Sequence, residues 1–321
     1  MPLHPQAAAF LEHLSQLRMP PLESVGVPAV RELMGGLRQV QGEPEPVAAI
    51  TETRVPGPEG SLPVRVYQPS ARPGPRPLMV FFHGGGWIAG DVELVDRPLR
   101  KLANACGAVV ASVEYRRAPE TQFPGPAEDA YAAIAALAER AEDLGADPAR
   151  LVVAGESAGG NLAAAACLMS RDRGGPAIAA QLLICPSLAP EADSPFVSYR
   201  RYATGYLNTR AAMAHFWDLY LASPQDAAHP YAAPLLAEEH TGLPPALILV
   251  AEYDPLRDEA TAYGHYLRTS GVPGAVRRYD GALHVFFLMC ESAAASRARA
   301  DITAWLHDRF PAEGVAPSRA S

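Results

Sequence analysis

The sequence lacks the features that many membrane and nucleic-acid functions require. No apolar run approaches the ~20 residues of a membrane-spanning helix. The start, Met1-Pro-Leu-His-Pro-Gln6, has no basic stretch followed by an apolar one, so no signal peptide is expected. Charged residues make up only 19% of the chain, and the net charge is −8. Lys and Arg are scattered rather than clustered, which argues against nucleic acid or an anionic membrane as a partner. The four cysteines, Cys106, Cys167, Cys185 and Cys290, form no CxxC pair, and no metal cluster is expected. Cys106, Cys167 and Cys185 sit in apolar patterns that predict buried free thiols. No repeat stands out. What remains is a cytoplasmic globular protein of 321 residues, one large α/β domain or two small ones, whose 49% hydrophobic content supplies a sizeable core.

What is present centres on Leu151-Val-Val-Ala-Gly-Glu-Ser-Ala-Gly-Gly160. Leu151 to Ala154 read as a buried strand, and Asn161 to Met169 are rich in strong helix formers. Between them Gly155-Glu-Ser-Ala-Gly159 matches G-x-S-x-G, a motif that needs a strand before it and a helix after it. In that context Ser157 is a candidate nucleophile, exposed on a sharp elbow at a helix N-terminus that favours negative charge.

Upstream, two amphipathic helices are expected. Phe10, Leu14 and Leu17 share one face, and Val30, Leu33, Met34 and Leu37 another, with Gly35-Gly36 weakening the second helix. They serve either as core packing or as a lid over a pocket. Gly42 to Pro46 reads as a linker. Ile50–Val55 and Leu62–Tyr67 predict a hairpin around Pro56-Gly-Pro-Glu-Gly60, and Ala71 to Pro77 a Pro-rich surface loop. Strands are expected at 78–82, 108–113, 177–185, 246–251 and 275–279, and helices at 97–106, 127–144, 209–221, 257–270 and 296–309. The last helix should bury Ile302, Trp305, Leu306 and Phe310, and Gly145 should sit near the C-cap of the helix at 127–144. Phe216, Trp217 and Tyr220 cluster at helical spacing, which favours core over a ligand box. The alternation of strands and helices indicates a mostly parallel sheet covered on both faces.

The strand at 78–82 runs into His83-Gly-Gly-Gly-Trp87. Consecutive glycines let a backbone approach a ligand and turn its N–H groups inward, as an oxyanion hole requires. An HGGG loop upstream of G-x-S-x-G is the arrangement described for lipases and esterases. A serine nucleophile needs an imidazole to take its proton and a carboxylate to fix that imidazole, in the order Ser, acid, His. Asp254 follows the strand at 246–251, whereas its competitors Asp258 and Glu259 fall on the next helix. His284 follows the next strand. The other histidines after Ser157 lie in helices (His215, His265, His307) or loops (His229, His240).

With these residues in hand, the chain resembles the bacterial hormone-sensitive-lipase-like branch of the α/β-hydrolase esterases, from about residue 48 to 310. The resemblance is carried by His83-Gly-Gly-Gly-Trp87, Glu114-Tyr-Arg-Arg-Ala-Pro-Glu120, Phe123-Pro-Gly-Pro-Ala-Glu-Asp129, Gly155-Glu-Ser-Ala-Gly-Gly160 and Tyr253-Asp-Pro-Leu-Arg-Asp-Glu259. It implies an α/β-hydrolase fold with an eight-stranded, mostly parallel sheet over residues 47–321. It also implies an N-terminal helical cap over 1–46, completed by a helical insertion at about 190–225. It makes Ser157 the nucleophile, His284 the base and Asp254 its orienter. The oxyanion donors would be N–H groups of Ala158 and of the Gly84, Gly85, Gly86 loop, foremost Gly85 and Gly86. Trp87, Glu156, Val285, Phe286, Leu33 and Phe216 are expected in the substrate pocket. Four residues depart from the branch: Glu156 stands where Asp or Thr is common, Val285 where Gly is usual, Cys185 where Tyr is common, and Arg117 where an apolar residue is usual.

The activity this implies is hydrolysis of short- to medium-chain carboxylic esters through an acyl-serine, without metal or cofactor. An acyltransferase, lactonase or amidase would use the same triad. A non-catalytic small-molecule binder also occurs in the family, but it has lost the triad histidine that His284 supplies here. The resemblance further suggests a homodimer formed through a sheet edge, with a monomer as the alternative.

Overall fold

Two short helices open the chain, α1 (Pro5–Gln16) and α2 (Val27–Gly36), and α2 gives way at Gly35-Gly36 to a single 3-10 turn. A computed structural model of the chain describes residues 2–18, 20–70, 75–190 and 195–311. The expected hairpin follows as β1 (Ala49–Gly57) and β2 (Gly60–Gln68). Then come β3 (Pro77–Phe82), α3 (Asp96–Cys106), β4 (Val109–Val113), α4 (Gly125–Glu139), β5 (Asp147–Glu156), α5 (Ala158–Arg173) and β6 (Ala180–Ile184). The chain continues through α6 (Val197–Arg201), α7 (Arg210–Tyr220), β7 (Ala246–Tyr253), α8 (Arg257–Thr269), β8 (Gly274–Leu283) and α9 (Ala293–Arg309). Of the Pro-rich loop at 71–77, residues 71–74 lie outside the described residues.

The eight strands form one sheet in the order β1-β2-β4-β3-β5-β6-β7-β8. β2 pairs antiparallel with both β1 and β4; every pairing from β4 to β8 is parallel. The central strands read as continuous apolar runs because both faces are covered. In β3, Leu78, Val80 and Phe82 point to one apolar layer and Met79 and Phe81 to the other. Helices α4, α5 and α8 close the first layer, and α3 and α9 the second.

Three local expectations are corrected. The helix at 127–144 stops at Glu139, and turns carry the chain to Gly145, which has a φ of +73°. Glu142 and Asp143 would place negative charge at a helix C-terminus, where the dipole opposes it. In α9, Ile302 and Leu306 are buried, but Trp305, and Phe310 just past the helix, are only partly so. Each takes an arginine over its ring instead, Arg309 over Trp305 and Arg150 over Phe310. Leu17, placed on the buried face of the first helix, lies just beyond α1 and is 54% exposed.

The N-terminal helices are anchored to the body. The His4 N–H donates to Gly281 O at 2.9 Å. Val30 is fully buried, and Arg31 bridges to Glu120 and to the Ile88 carbonyl. Among the described residues no helix is long and apolar enough to cross a membrane.

Candidate active site

The carboxyl ends of four parallel strands converge on one cleft, where ligands of open α/β sheets bind. β3 delivers His83–Gly86, β5 delivers Ser157, β7 delivers Asp254 and β8 delivers His284. Residues 30 to 127 apart in sequence meet in hydrogen bonds because these strands are sheet neighbours or next neighbours, with Phe82 level with Gly155 and Tyr253 level with Leu283.

Ser157 sits at the junction of β5 and α5 with φ +55° and ψ −118°, a strained conformation for a residue with a Cβ. The surrounding glycines make the turn possible. A Cβ on Gly155 would collide with the Gly159 carbonyl, and one on Gly159 with the carbonyls of Phe82 and His83. The Ser157 N–H donates to Ile184 O at 2.8 Å, which pins the elbow to β6. Asn161, one turn into α5, donates to the carbonyls of Ser187 and Ala232 and ties the helix to the loops above it.

His284 Nε2 lies 2.9 Å from Ser157 Oγ, and its Nδ1 lies 2.7 Å from Asp254 Oδ2. The other carboxylate oxygen of Asp254 accepts the Leu256 N–H at 3.0 Å, so both oxygens are held. The competing carboxylates are engaged elsewhere. Asp258 accepts from the Ser198 N–H and Arg257; Glu259 accepts from the Leu188 N–H and the Tyr199 hydroxyl. Burial pulls the His284 imidazole toward its neutral form. The charge and hydrogen bond of Asp254, with Glu156 and Glu259 beyond, outweigh that, so its pKa is raised above the ordinary value. Glu156 is buried too, and desolvation pushes its carboxyl up to about 7.

Among the described residues, Cys185, Asp254 and His284 form the one group of three whose donor atoms lie close enough, within 4.8 Å, to share a metal ion. Two of those three already share the Asp254–His284 hydrogen bond. All four cysteines are free and buried.

A cavity of about 720 Å³ opens above Ser157. Gly85, Gly86, Glu156, Ser157 and His284 form its floor, and Leu33, Val285 and Phe216 its apolar wall. Phe10, Leu14, Met34 and Leu37 complete that wall from the N-terminal segment, so the helices both pack on the body and roof the site. Four expected residues, Trp87, Phe286, Gly84 and Ala158, do not line the cavity. Trp87, at a φ of +61°, is turned into the core, where it stacks on Tyr220 at 4.3 Å and meets Trp217 at 4.5 Å. Phe286 stacks on Tyr279 at 4.8 Å in the layer beneath α9. Gly84 is absent from the cavity lining and lies against the Glu156 carboxylate, and Ala158 is absent from it too. Leu207 and Asn208 also line the cavity. Sequence reasoning passed over them because 188–206 and its margin carry no hydrophobic period.

The chain has relatives among known hydrolases. The family described as alpha/beta hydrolase fold matches residues 79–288. The chain is 39% identical over 276 residues to the carboxylic ester hydrolase LipN of Mycobacterium tuberculosis, covering 84% of this chain and 73% of that protein. It is 34% identical over 287 residues to an arylesterase of Saccharolobus solfataricus, covering 89% and 92%. The solved structure of a hyperthermophilic esterase from the archaeon Pyrobaculum calidifontis superposes with a TM-score of 0.89 at 40% identity, covering 95% of this chain and 98% of that one. With its parallel sheet, elbow serine and HGGG loop, the chain belongs to the α/β-hydrolase family, in the hormone-sensitive-lipase-like branch of serine-dependent ester hydrolases.

Proposed function

We propose that the chain hydrolyses short- to medium-chain acyl esters through a Ser157–His284–Asp254 triad. The observation that carries this reading is the unbroken chain of hydrogen bonds from Ser157 Oγ through His284 to Asp254, at the floor of a largely apolar cavity. Ser157 Oγ attacks the ester carbonyl carbon while His284 Nε2 takes its proton. The carbonyl oxygen becomes an oxyanion held by the N–H groups of Gly85, Gly86 and Ala158. The C–O bond to the alcohol then breaks, and the alcohol leaves with the proton from Nε2. Water attacks the acyl-serine by the same route and releases the acid and free Ser157. Asp254 fixes the imidazole tautomer and stabilises the imidazolium, and the triad calls for no metal or cofactor.

The acyl range follows from the roof. A closed apolar pocket gains about 1–3 kcal/mol for each methylene it accommodates, then loses once the chain no longer fits. Turnover on an aryl-ester series should peak at short to medium acyl length and fall steeply for long-chain lipids. Leu33→Trp, which fills part of the wall, should move the peak toward acetate, with the kcat/KM ratio of hexanoate to acetate falling ~10-fold. An unchanged profile in the variant, or a rate that climbs into long-chain triglycerides, would remove the cavity as the size filter.

The pH dependence follows from the base. His284 must be neutral to accept a proton, and its pKa is raised. Activity should therefore fall as pH drops, with an acid limb centred above the unperturbed imidazole value of ~6.5. A kcat/KM profile flat down to strongly acidic pH would contradict a histidine base.

The four free thiols suit a reducing compartment such as the cytoplasm. β1 and β8 are the edge strands of the sheet, and a homodimer, if formed, would pair through one of these edges. Light scattering across a concentration series tests that, and a large fixed assembly would count against it.

A further inference from the structure

We propose that Glu156 is a positioning residue that braces the oxyanion loop through Gly84, so that the Gly85 and Gly86 N–H groups face the reacting carbonyl. The inference rests on the triad and oxyanion reading above and adds to it a residue that is neither nucleophile nor base.

The loop leaves β3 at Phe82 and is held on one side by aromatic packing. The His83 ring stacks on Tyr115 at 4.3 Å, and the Tyr115 hydroxyl donates to His83 O at 2.9 Å. His83 Nδ1 lies 2.8 Å from Gly84 O, so the imidazole fixes that carbonyl. Further along, Gly85 O accepts the N–H groups of Ile88 and Ala89 at 3.2 and 2.9 Å. The carbonyls of Gly84 and Gly85 are thus fixed, and the opposite side of Gly84 is where Glu156 enters.

Glu156 ends β5, the parallel neighbour of β3, so its side chain reaches the extension of that strand. It is 3% exposed, and its carboxylate fills the space a Cβ on Gly84 would occupy. Gly84 needs no left-handed φ, so its lack of a side chain answers to this contact rather than to backbone conformation. Burying a carboxylate beside an apolar cavity is costly. Mere filling of the gap would be served at lower cost by an apolar side chain. A carboxylate adds charge directed at His284, and it packs on the peptide one residue ahead of the donors.

The charge reaches His284 as well. The groups facing Glu156 are His284 at the end of β8, Asp254 at the end of β7, Cys185 at the end of β6 and Tyr115 beyond β4. Of these only His284 gains a positive charge during turnover, and a carboxylate nearby favours that form.

The test is a double-mutant cycle on purified full-length protein with an aryl acetate, read as kcat and KM separately. Glu156→Ala should lower kcat ~10–100-fold with KM within ~3-fold, since the lost support acts on the transition state. Gly84→Ala should cost a similar factor by driving its Cβ into the carboxylate. In the Glu156→Ala background the same glycine change should cost less than ~3-fold, because the obstacle is gone. Glu156→Gln keeps the shape and removes the charge, and so covers the case in which the alanine variant fails to fold. It should retain most of kcat and move the acid limb of kcat/KM to lower pH by ~0.5 unit or more. Additive losses in the cycle, or an unmoved acid limb in Glu156→Gln, would overturn the brace. Organophosphate labelling of Ser157 in each variant separates the two levels. Labelling that persists with additive losses refutes only the role of Glu156, whereas unlabelled wild type refutes the serine reading itself.

Discussion

Ser157→Ala should lose about 10⁴–10⁶ in kcat while remaining folded. The loss is large because the serine and histidine act as one unit: without Oγ, His284 has no nucleophile to deprotonate and no acyl-enzyme forms. The residual rate over water should come from the oxyanion donors and the cavity alone. Folding should survive because the φ of +55° at residue 157 is a strained state for serine and alanine alike, so the substitution adds little backbone cost. The Ser157 main chain also keeps its own support, accepting the Asn161 N–H and donating to Ile184 O. The measurement is kcat on an aryl ester, with circular dichroism and a melting curve as the folding control. Wild type, treated with an organophosphate, should carry the adduct on Ser157 in mass spectrometry. Near-normal turnover in the alanine variant would end the serine reading.

Much of the fold was legible because buried parallel strands leave a strong mark. The runs at 78–82, 108–113 and 246–251 had to be apolar on both faces, and each became a strand within about two residues of its expected bounds. Helix ends were less legible. At 127–144 the alanine-rich pattern continued past Glu139, and only the charge of Glu142 and Asp143 against the helix dipole marked the stop. β8 extended to Leu283, beyond the expected 279, because its pairing with β7 resumes at Tyr253–Leu283 after an irregularity in register. A bulge of that kind has no sequence period to announce it.

In the candidate site, the glycine motifs and the strand-end positions single out Ser157, Asp254 and His284, whose side chains lie at hydrogen-bond distance in a chain through His284. Side-chain direction was another matter. Trp87 follows the HGGG loop directly, yet its left-handed backbone turns the indole away from the cavity and under α7. Nothing in its neighbours fixes that sign of φ. Phe286 is two residues from His284 but stacks on Tyr279 away from the cavity, whereas Val285 reaches it. Gly84 reads like its two neighbours in sequence, and only the placement of Glu156, 72 positions away, distinguishes it.

Asp254→Asn should reduce kcat roughly 10⁴-fold, with KM changed far less. In the wild type, Asp254 Oδ2 accepts from His284 Nδ1 at 2.7 Å, which leaves Nε2 unprotonated toward Ser157. Oδ1 is already engaged as acceptor for the Leu256 N–H. An asparagine placed to keep that backbone bond presents its NH2 to Nδ1. The imidazole then carries its proton on Nε2, facing Oγ, and cannot serve as base. Rotating the amide restores the imidazole tautomer but sets NH2 against the Leu256 N–H, a buried donor facing a donor. Either way the site pays with the base or with a hydrogen bond. The same change at Asp258, which accepts from Ser198 and Arg257, should alter kcat by less than ~10-fold, as should Glu259→Gln. Kinetics on the three variants at high pH, where a histidine base is fully neutral, decide between these carboxylates. A mild Asp254→Asn beside a severe Asp258→Asn or Glu259→Gln would transfer the orienting role to the other acid.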